Sequence, residues 1–224
     1  MISADHLKAI APWARELEPT ELERAARGTT VRVFNKGSYI LHRGDRLDAW
    51  IGVIGGLVKV SAISSSGKAV SFAGVPAGGW LGEGTVLKNE ARQYDLVAVR
   101  DSRVAFMAGT SFRWLADNSF AFNRFLVRQL NERLGQFIAL VASDRMLDAP
   151  ARLARCISWL FNAVLYPNDG AHLEVSQEEL GLLSGLSRQA ANKALQNLED
   201  RGLLRIERQG ITVLDLRGLA HLGE

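Results

Sequence analysis

One cysteine in 224 residues, Cys156, excludes an intrachain disulfide and any iron–sulfur or zinc site built from several thiolates of a single chain. Leu153, Leu160 and Val164 stand at helical spacing from it, so the thiol is expected to be buried and structural rather than reactive. Histidine is nearly as sparse. His6, His42, His172 and His221 are scattered singly, and surface or capping roles fit them better than a place among the ligands of a haem or a metal. No apolar run reaches the roughly 20 residues of a membrane span. The opening segment, Met1–Pro19, has acidic residues and no long apolar core, so it reads as neither a secretion signal nor a spanning helix, and a cytoplasmic protein is expected. Net charge is only +3. No Ser/His/Asp set, paired-carboxylate motif or metal-ligand spacing stands out, so no catalytic residue is assigned.

What is present divides the chain by periodicity. Ala4–Arg27 alternates apolar and charged positions at helical spacing and predicts one or two short helices. From Thr29 to Met107 come short apolar runs rich in β-branched residues: TVRVF, WIGVIGG, LVKVSAI, AVSFAGV, LVAVR and RVAFM. Turn signals at Lys36-Gly37, Arg43-Gly44-Asp45, Gly55-Gly56, Ser66-Gly67 and Gly78-Gly79 separate them, which predicts an antiparallel, eight-stranded roll. Ser119–Met146 has no proline and one glycine, and Leu126, Leu130, Leu134, Phe137 and Val141 step along one face of a long helix. Such a stripe either packs on the chain's own core or pairs with its twin across a dimer axis, and pairing is the favoured reading. Leu147-Asp148-Ala149-Pro150 then ends that helix and starts another, with Asp148 as N-cap and Pro150 in the first turn.

The most informative stretch is Val175–Leu214. Ser176 and Glu179 form a capping box ahead of Leu180 and Leu183, Gly185 suits a left-handed turn, and Ser187 caps a second helix. In that helix Ala191, Leu195 and Leu198 face inward, leaving Arg188, Gln189, Asn192, Lys193 and Gln196 outward. Arg201-Gly202 closes it, and Leu203–Glu207 with Ile211–Leu214 make a hairpin whose tip, Arg208-Gln209-Gly210, is basic. This is the pattern of a winged helix-turn-helix, in which the first turn of the second helix enters the major groove of double-stranded DNA. Arg188, Gln189 and Lys193 are the expected base readers, with Ser187, Asn192 and Arg208 beside them. Charge alone does not require this: from Ala149 onward there are eight Lys or Arg against nine Asp or Glu. A plain helical hairpin with a solvated polar face is the alternative.

Glycine-punctuated roll, long helix, Asp-capped hinge and winged helix in that order resemble the Crp/Fnr superfamily of bacterial transcription regulators. The specific matches are KGSYILHRGDRLDAWIGVIGGLVKVS (Lys36–Ser61), Trp80-Leu81-Gly82-Glu83, RMLDAPARLAR (Arg145–Arg155) and LSRQAANKALQNLEDRGLL (Leu186–Leu204). The resemblance implies an α+β protein: a jelly-roll-like effector domain over 1–118, a dimerisation helix over 119–147 and a DNA-binding winged helix over 148–224. It implies a homodimer on a palindromic promoter site, with RNA polymerase as a further partner. It also implies a phosphate-binding cassette for a cyclic nucleotide, matched here by Gly82, Glu83 and Arg92. The match then breaks, because Gln93 and Tyr94 follow where the cassette has a small hydroxyl residue and alanine. Phe137 and Ile138 fall where adenine-binding members carry hydroxyl residues. The expectation is therefore a small effector other than cyclic AMP. A cyclic-AMP-responsive regulator and a structural Glu83–Arg92 ion pair with no ligand are the alternatives. From a different class, a ligand-binding module or enzyme with a non-functional helix-turn-helix also stays open. In the recognition helix, Ser187-Arg188-Gln189 with Lys193 departs from the usual Ser-Arg-Glu-x-x-x-Arg pattern and predicts a related but distinct half-site.

Overall fold

The structure is a computed structural model that describes residues 1–63, 69–167 and 170–223. The turn expected at Ser66-Gly67 lies outside the described residues. Two short helices, α1 (Ala4–Ile10) and α2 (Pro19–Arg27), flank a 3-10 turn and precede the strands. The strands are β1 (Thr29–Phe34), β2 (Tyr39–Leu41), β3 (Ala49–Gly55), β4 (Leu57–Ile63), β5 (Ala69–Pro76) and β6 (Trp80–Leu81), then, after the short helix α3 (Glu83–Lys88), β7 (Asp95–Ala98) and β8 (Ser102–Ala108). They form two antiparallel four-stranded sheets, ordered β1-β8-β3-β6 and β2-β7-β4-β5. The roll thus has eight strands among the described residues.

Because side chains alternate across a strand, each sheet can serve two cores. On β3 and β8, Ile51 and Phe106 face the other sheet and join Val53, Val60, Val75 and Leu96. Their neighbours Trp50 and Met107 face the opposite way, onto the helices. There Trp50 packs against Trp13 at 5.2 Å, Trp80 at 4.5 Å and Phe122 at 5.5 Å between ring centroids. Such tilted and edge-on aromatic contacts bury large areas and fix the helical layer on the roll.

After β8 come α4 (Gly109–Asn118) and the 27-residue α5 (Phe120–Met146), whose first turn is capped by the Ser119 hydroxyl accepting from the Phe122 amide. The apolar stripe on α5 divides. Leu126 is 4% exposed and belongs to the chain's own core, whereas Leu134 is 58% exposed and Leu130, Phe137 and Val141 are also open. Val127 and Ile138, off the expected stripe, widen that exposed apolar face.

Asp148 caps α6 (Ala149–Leu160), accepting from the Ala151 amide, with Pro150 in the first turn. The remainder is β9 (His172–Leu173), α7 (Gln177–Ser184), α8 (Arg188–Asp200), β10 (Leu204–Glu207), β11 (Gly210–Val213) and α9 (Leu216–His221). The wing is a three-stranded sheet, β10-β11-β9, one strand more than the hairpin pattern suggests. Cys156 on α6 is half-buried rather than central to the core, and burial pushes its thiol up to about 12. Among the described residues no helix is long and apolar enough to cross a membrane.

The winged helix is docked on the roll. Leu57 and Val99 of the roll share the core formed by α6, α7 and α8, and Leu165 and Tyr166, from the turn after α6, are buried in the core of the roll. At the edge of this contact Arg100 grips Glu179 with two hydrogen bonds of 3.0 and 2.7 Å. Burial alone raises the Glu179 carboxyl; the hydrogen bonds from Arg100 and Ser176 and the charge of Arg100 outweigh it and hold it below the usual carboxylate range.

Candidate nucleic-acid interface and effector cleft

The helix-turn-helix is built by its caps. The Ser176 hydroxyl accepts from the Glu179 amide while the Glu179 carboxylate accepts from the Ser176 amide, so two free donors of α7 are satisfied reciprocally. Gly185 ends α7 at φ 67°, a conformation that favours glycine, and the Ser187 hydroxyl accepts from the Ala190 amide to start α8. On α8, Ala191, Ala194, Leu195 and Leu198 are buried, which rotates Arg188, Gln189, Lys193 and Gln196 to the surface.

Asn192 departs from the expected outward face. It is half-buried, with Oδ1 enclosed and without a hydrogen-bond partner. Ser187 and Arg208 are exposed, the latter in the two-residue turn between Glu207 and Gly210. Arg188 and Arg208 line a cleft of about 590 Å³ between α7 and the wing. Glu174 and Glu178 line it too, so the local charge is mixed even though the leading edge of α8 is cationic.

The second concave site lies between the roll and α5, a cleft of about 220 Å³. Gly82, Glu83, Gln93, Tyr94 and Phe137 all contribute to its wall. Glu83 opens α3, is buried, and has no partner for Oε2. Gly82 sits at φ 90°, and a Cβ there would run into the Arg92 guanidinium, so this backbone position admits only glycine. Gln93 is exposed and folds back to donate to the Ala91 carbonyl.

Arg92 and Ile138 are not brought to the wall. Arg92 is 1% exposed and donates through Nη2 to the Ala49 carbonyl at 2.5 Å, while Nε and Nη1 lack partners. Burial weakens its hold on its proton, opposed by Tyr94 and Glu83. Ile138 is 62% exposed on the open face of α5. A structural Glu83–Arg92 salt bridge does not form; each keeps an unsatisfied buried atom instead.

Arg133 is the residue that sequence reasoning missed. It lines the cleft one helical turn before Phe137, and that i, i+4 relation was the available signal. Nη2 donates to the Trp80 carbonyl at 2.9 Å and Nη1 to the Tyr166 hydroxyl at 3.1 Å. Burial disfavours its charge, yet Tyr166, Glu83 and Tyr94 together outweigh this and hold its proton more tightly than usual. Burial, and then the Glu83 charge, push the Tyr94 phenol up, so it stays protonated. The cleft therefore offers a carboxylate, a guanidinium and a neutral phenol against apolar walls from Val60, Leu81 and Leu130. Among the described residues no group of three or more His, Cys, Asp or Glu converges as a metal-ion set.

Residues 31–119 match the cyclic nucleotide-binding domain family, and residues 151–222 match the Crp-like helix-turn-helix domain family. The cAMP-activated global transcriptional regulator Vfr of Pseudomonas aeruginosa is 25% identical over 193 residues, covering 83% of this chain and 90% of Vfr. A CRP-like cAMP-activated global transcriptional regulator of Mycobacterium tuberculosis is 28% identical over 217 residues, 95% of this chain and 91% of the relative. Among solved structures, FixK2 from Bradyrhizobium japonicum has a TM-score of 0.69 at 18% identity, covering 88% of this chain and 98% of that one. A CooA mutant from Carboxydothermus hydrogenoformans has a TM-score of 0.65 at 19% identity, covering 93% and 92%. At those identities the structural likeness concerns the fold. The two family matches, in the order roll then winged helix, place this chain in the Crp/Fnr superfamily of bacterial transcription regulators.

Proposed function

We propose that this regulator acts as a homodimer on a palindromic DNA site and that a small effector, other than cyclic AMP, binds in the cleft between the roll and α5. The DNA-reading assignment rests on the exposed leading edge of α8: Arg188, Gln189 and Lys193 reach base edges, the exposed Ser187 and Arg208 support contacts to phosphate, and the half-buried Asn192 stands beside them. The exposed apolar face of α5 supports pairing with a second copy, which is how two recognition helices meet paired half-sites. The division into an effector domain over 1–118, a dimerisation helix over 119–147 and a DNA-binding domain over 148–224 follows from these roles, and RNA polymerase is the further partner.

The observation that carries the effector reading is the buried Glu83 Oε2 in the cleft wall, which has no hydrogen-bond partner. Buried polar atoms without partners are rare in folded proteins, and a ligand supplies them. Cyclic AMP fits this wall poorly: Arg92 is turned to Ala49 and does not reach the cleft, and Tyr94 and Phe137 line the space. The specific observation favouring cyclic AMP is the family match together with Glu83 in the wall, the carboxylate a ribose hydroxyl requires. Calorimetric titration of cyclic AMP into wild type and Glu83→Gln separates the two. The account expects no saturable heat, whereas binding abolished by Glu83→Gln establishes the nucleotide reading. The match to the Crp-like helix-turn-helix family supports a regulator rather than an enzyme.

A further inference from the structure

Three ends meet at the Arg133 guanidinium. It forms part of the effector cleft, it holds the roll through the Trp80 carbonyl, and it holds the Tyr166 hydroxyl. Tyr166 belongs to the turn that follows α6, yet it is 1% exposed and packed in the core of the roll beside Leu165 and Trp159. The same turn is tied to α5 a second time, since Asn162 Nδ2 donates to Glu132 Oε2 at 2.9 Å. Neighbouring residues of the long helix, Glu132 and Arg133, thus anchor the segment that leads into the winged helix.

We infer that Arg133 is the positioning residue that couples the cleft to the winged helix, by exchanging Tyr166 for an anionic group of the effector. This rests on the effector reading above. A guanidinium has a limited set of coplanar donors, and here one faces Trp80 and another serves both Tyr166 and, at 3.4 Å, Gln136. A phosphate or carboxylate entering the cleft against Arg133 is a stronger, charge-assisted acceptor than a neutral phenol. It therefore draws Nη1 away from Tyr166. The Leu165–Tyr166 anchor loosens, and the docking of the winged helix on the roll loosens with it. Binding energy is differential between the two arrangements, which is the requirement for any ligand to shift a conformational equilibrium.

The experiment uses the full chain. Hydrogen–deuterium exchange across 161–167 is followed in wild type, Tyr166→Phe and Arg133→Lys, each with and without inorganic phosphate and cyclic AMP as anion probes. Tyr166→Phe keeps the buried ring and removes only the hydroxyl, so the core is retained. It is expected to exchange about tenfold faster in this segment; inorganic phosphate is expected to speed exchange in wild type while adding nothing in Tyr166→Phe, and cyclic AMP, which does not bind on the effector reading, is expected to leave both unchanged. Arg133→Lys, which keeps the charge but not the fork, is expected to behave like Tyr166→Phe. Unchanged exchange in Tyr166→Phe, or an equal phosphate effect in wild type and variant, overturns the inference, as does a wild type whose segment phosphate does not alter; an effect of cyclic AMP counts instead against the effector reading. Anisotropy titration of promoter DNA runs in parallel: loss of DNA binding by wild type itself counts against the regulator reading, whereas intact DNA binding with an inert Tyr166 counts against the coupling alone.

Discussion

At the scale of single residues, the structure separates groups that look alike in the sequence. Arg188, Lys193 and Arg208 are exposed cations on the proposed DNA face, while Arg92, Arg100 and Arg133 are committed to partners inside the protein. Replacing Arg188 by alanine is expected to weaken binding to the specific site by about 1–3 kcal/mol, roughly 5- to 160-fold, and to relax preference at one base pair. Arg208→Ala is expected instead to weaken binding to all sequences alike and to reduce the slope of log affinity against log salt by about 1. Fluorescence anisotropy over a salt series distinguishes the two. Arg100→Ala acts on folding. It strands the buried Glu179 carboxylate and is expected to cost about 2 kcal/mol by urea denaturation at pH 7, less than the roughly 3–5 kcal/mol of a fully buried pair because Arg100 remains 27% exposed. Since the Glu179 carboxyl is held below its ordinary value in the folded state, the contribution is present above that value and disappears as pH falls through the lowered one. The gap between wild type and Arg100→Ala should therefore shrink in acid.

Among the elements, the parts legible in the sequence were those set by neighbours along the chain. Ser176 with Glu179, Ser187, Asp148 and Gly185 mark helix ends by hydrogen bonds or backbone angles spanning three or four residues, and the boundaries of α6, α7 and α8 follow from them. β2 and β6, at three and two residues, are too short to show a period, and α3 begins at a Glu-Gly pair with little helical signal. The stripe on α5 shows what periodicity omits. Leu126 and Leu134 belong to one apolar stripe, but Trp13 and Trp50 meet the N-terminal part of the helix, whereas among the described residues Leu130, Leu134, Phe137 and Val141 stay exposed. Leu126→Ala is accordingly expected to lower stability by about 2–5 kcal/mol. Leu134→Glu is expected to leave the thermal transition of the protomer nearly unchanged while shifting sedimentation from dimer to monomer. A monomeric wild type, or a variant that unfolds, contradicts the role assigned to this face.

For the whole molecule, the candidate site was legible in part. Gly82, Glu83, Gln93, Tyr94 and Phe137 line one cleft, because the strand–turn–helix between β6 and β7 is local and α5 is long enough to reach it. Arg92 turning inward depends on a carbonyl of β3 more than forty residues away, and the role of Arg133 depends on Tyr166 arriving from beyond the hinge. No local pattern carries such information. The docking of α6 and α7 on the roll is likewise a tertiary fact, built on Leu57, Val99 and the Arg100–Glu179 contact. The central claim, a two-fold dimer reading DNA through α8, is tested most directly by selecting sequences from a random double-stranded pool with the full chain and with Arg188→Ala. The account predicts a palindromic consensus with half-sites about 10 base pairs apart, one turn of the duplex, and loss of one conserved base pair per half-site in the variant. An asymmetric or absent consensus, or the same consensus from Arg188→Ala, contradicts it.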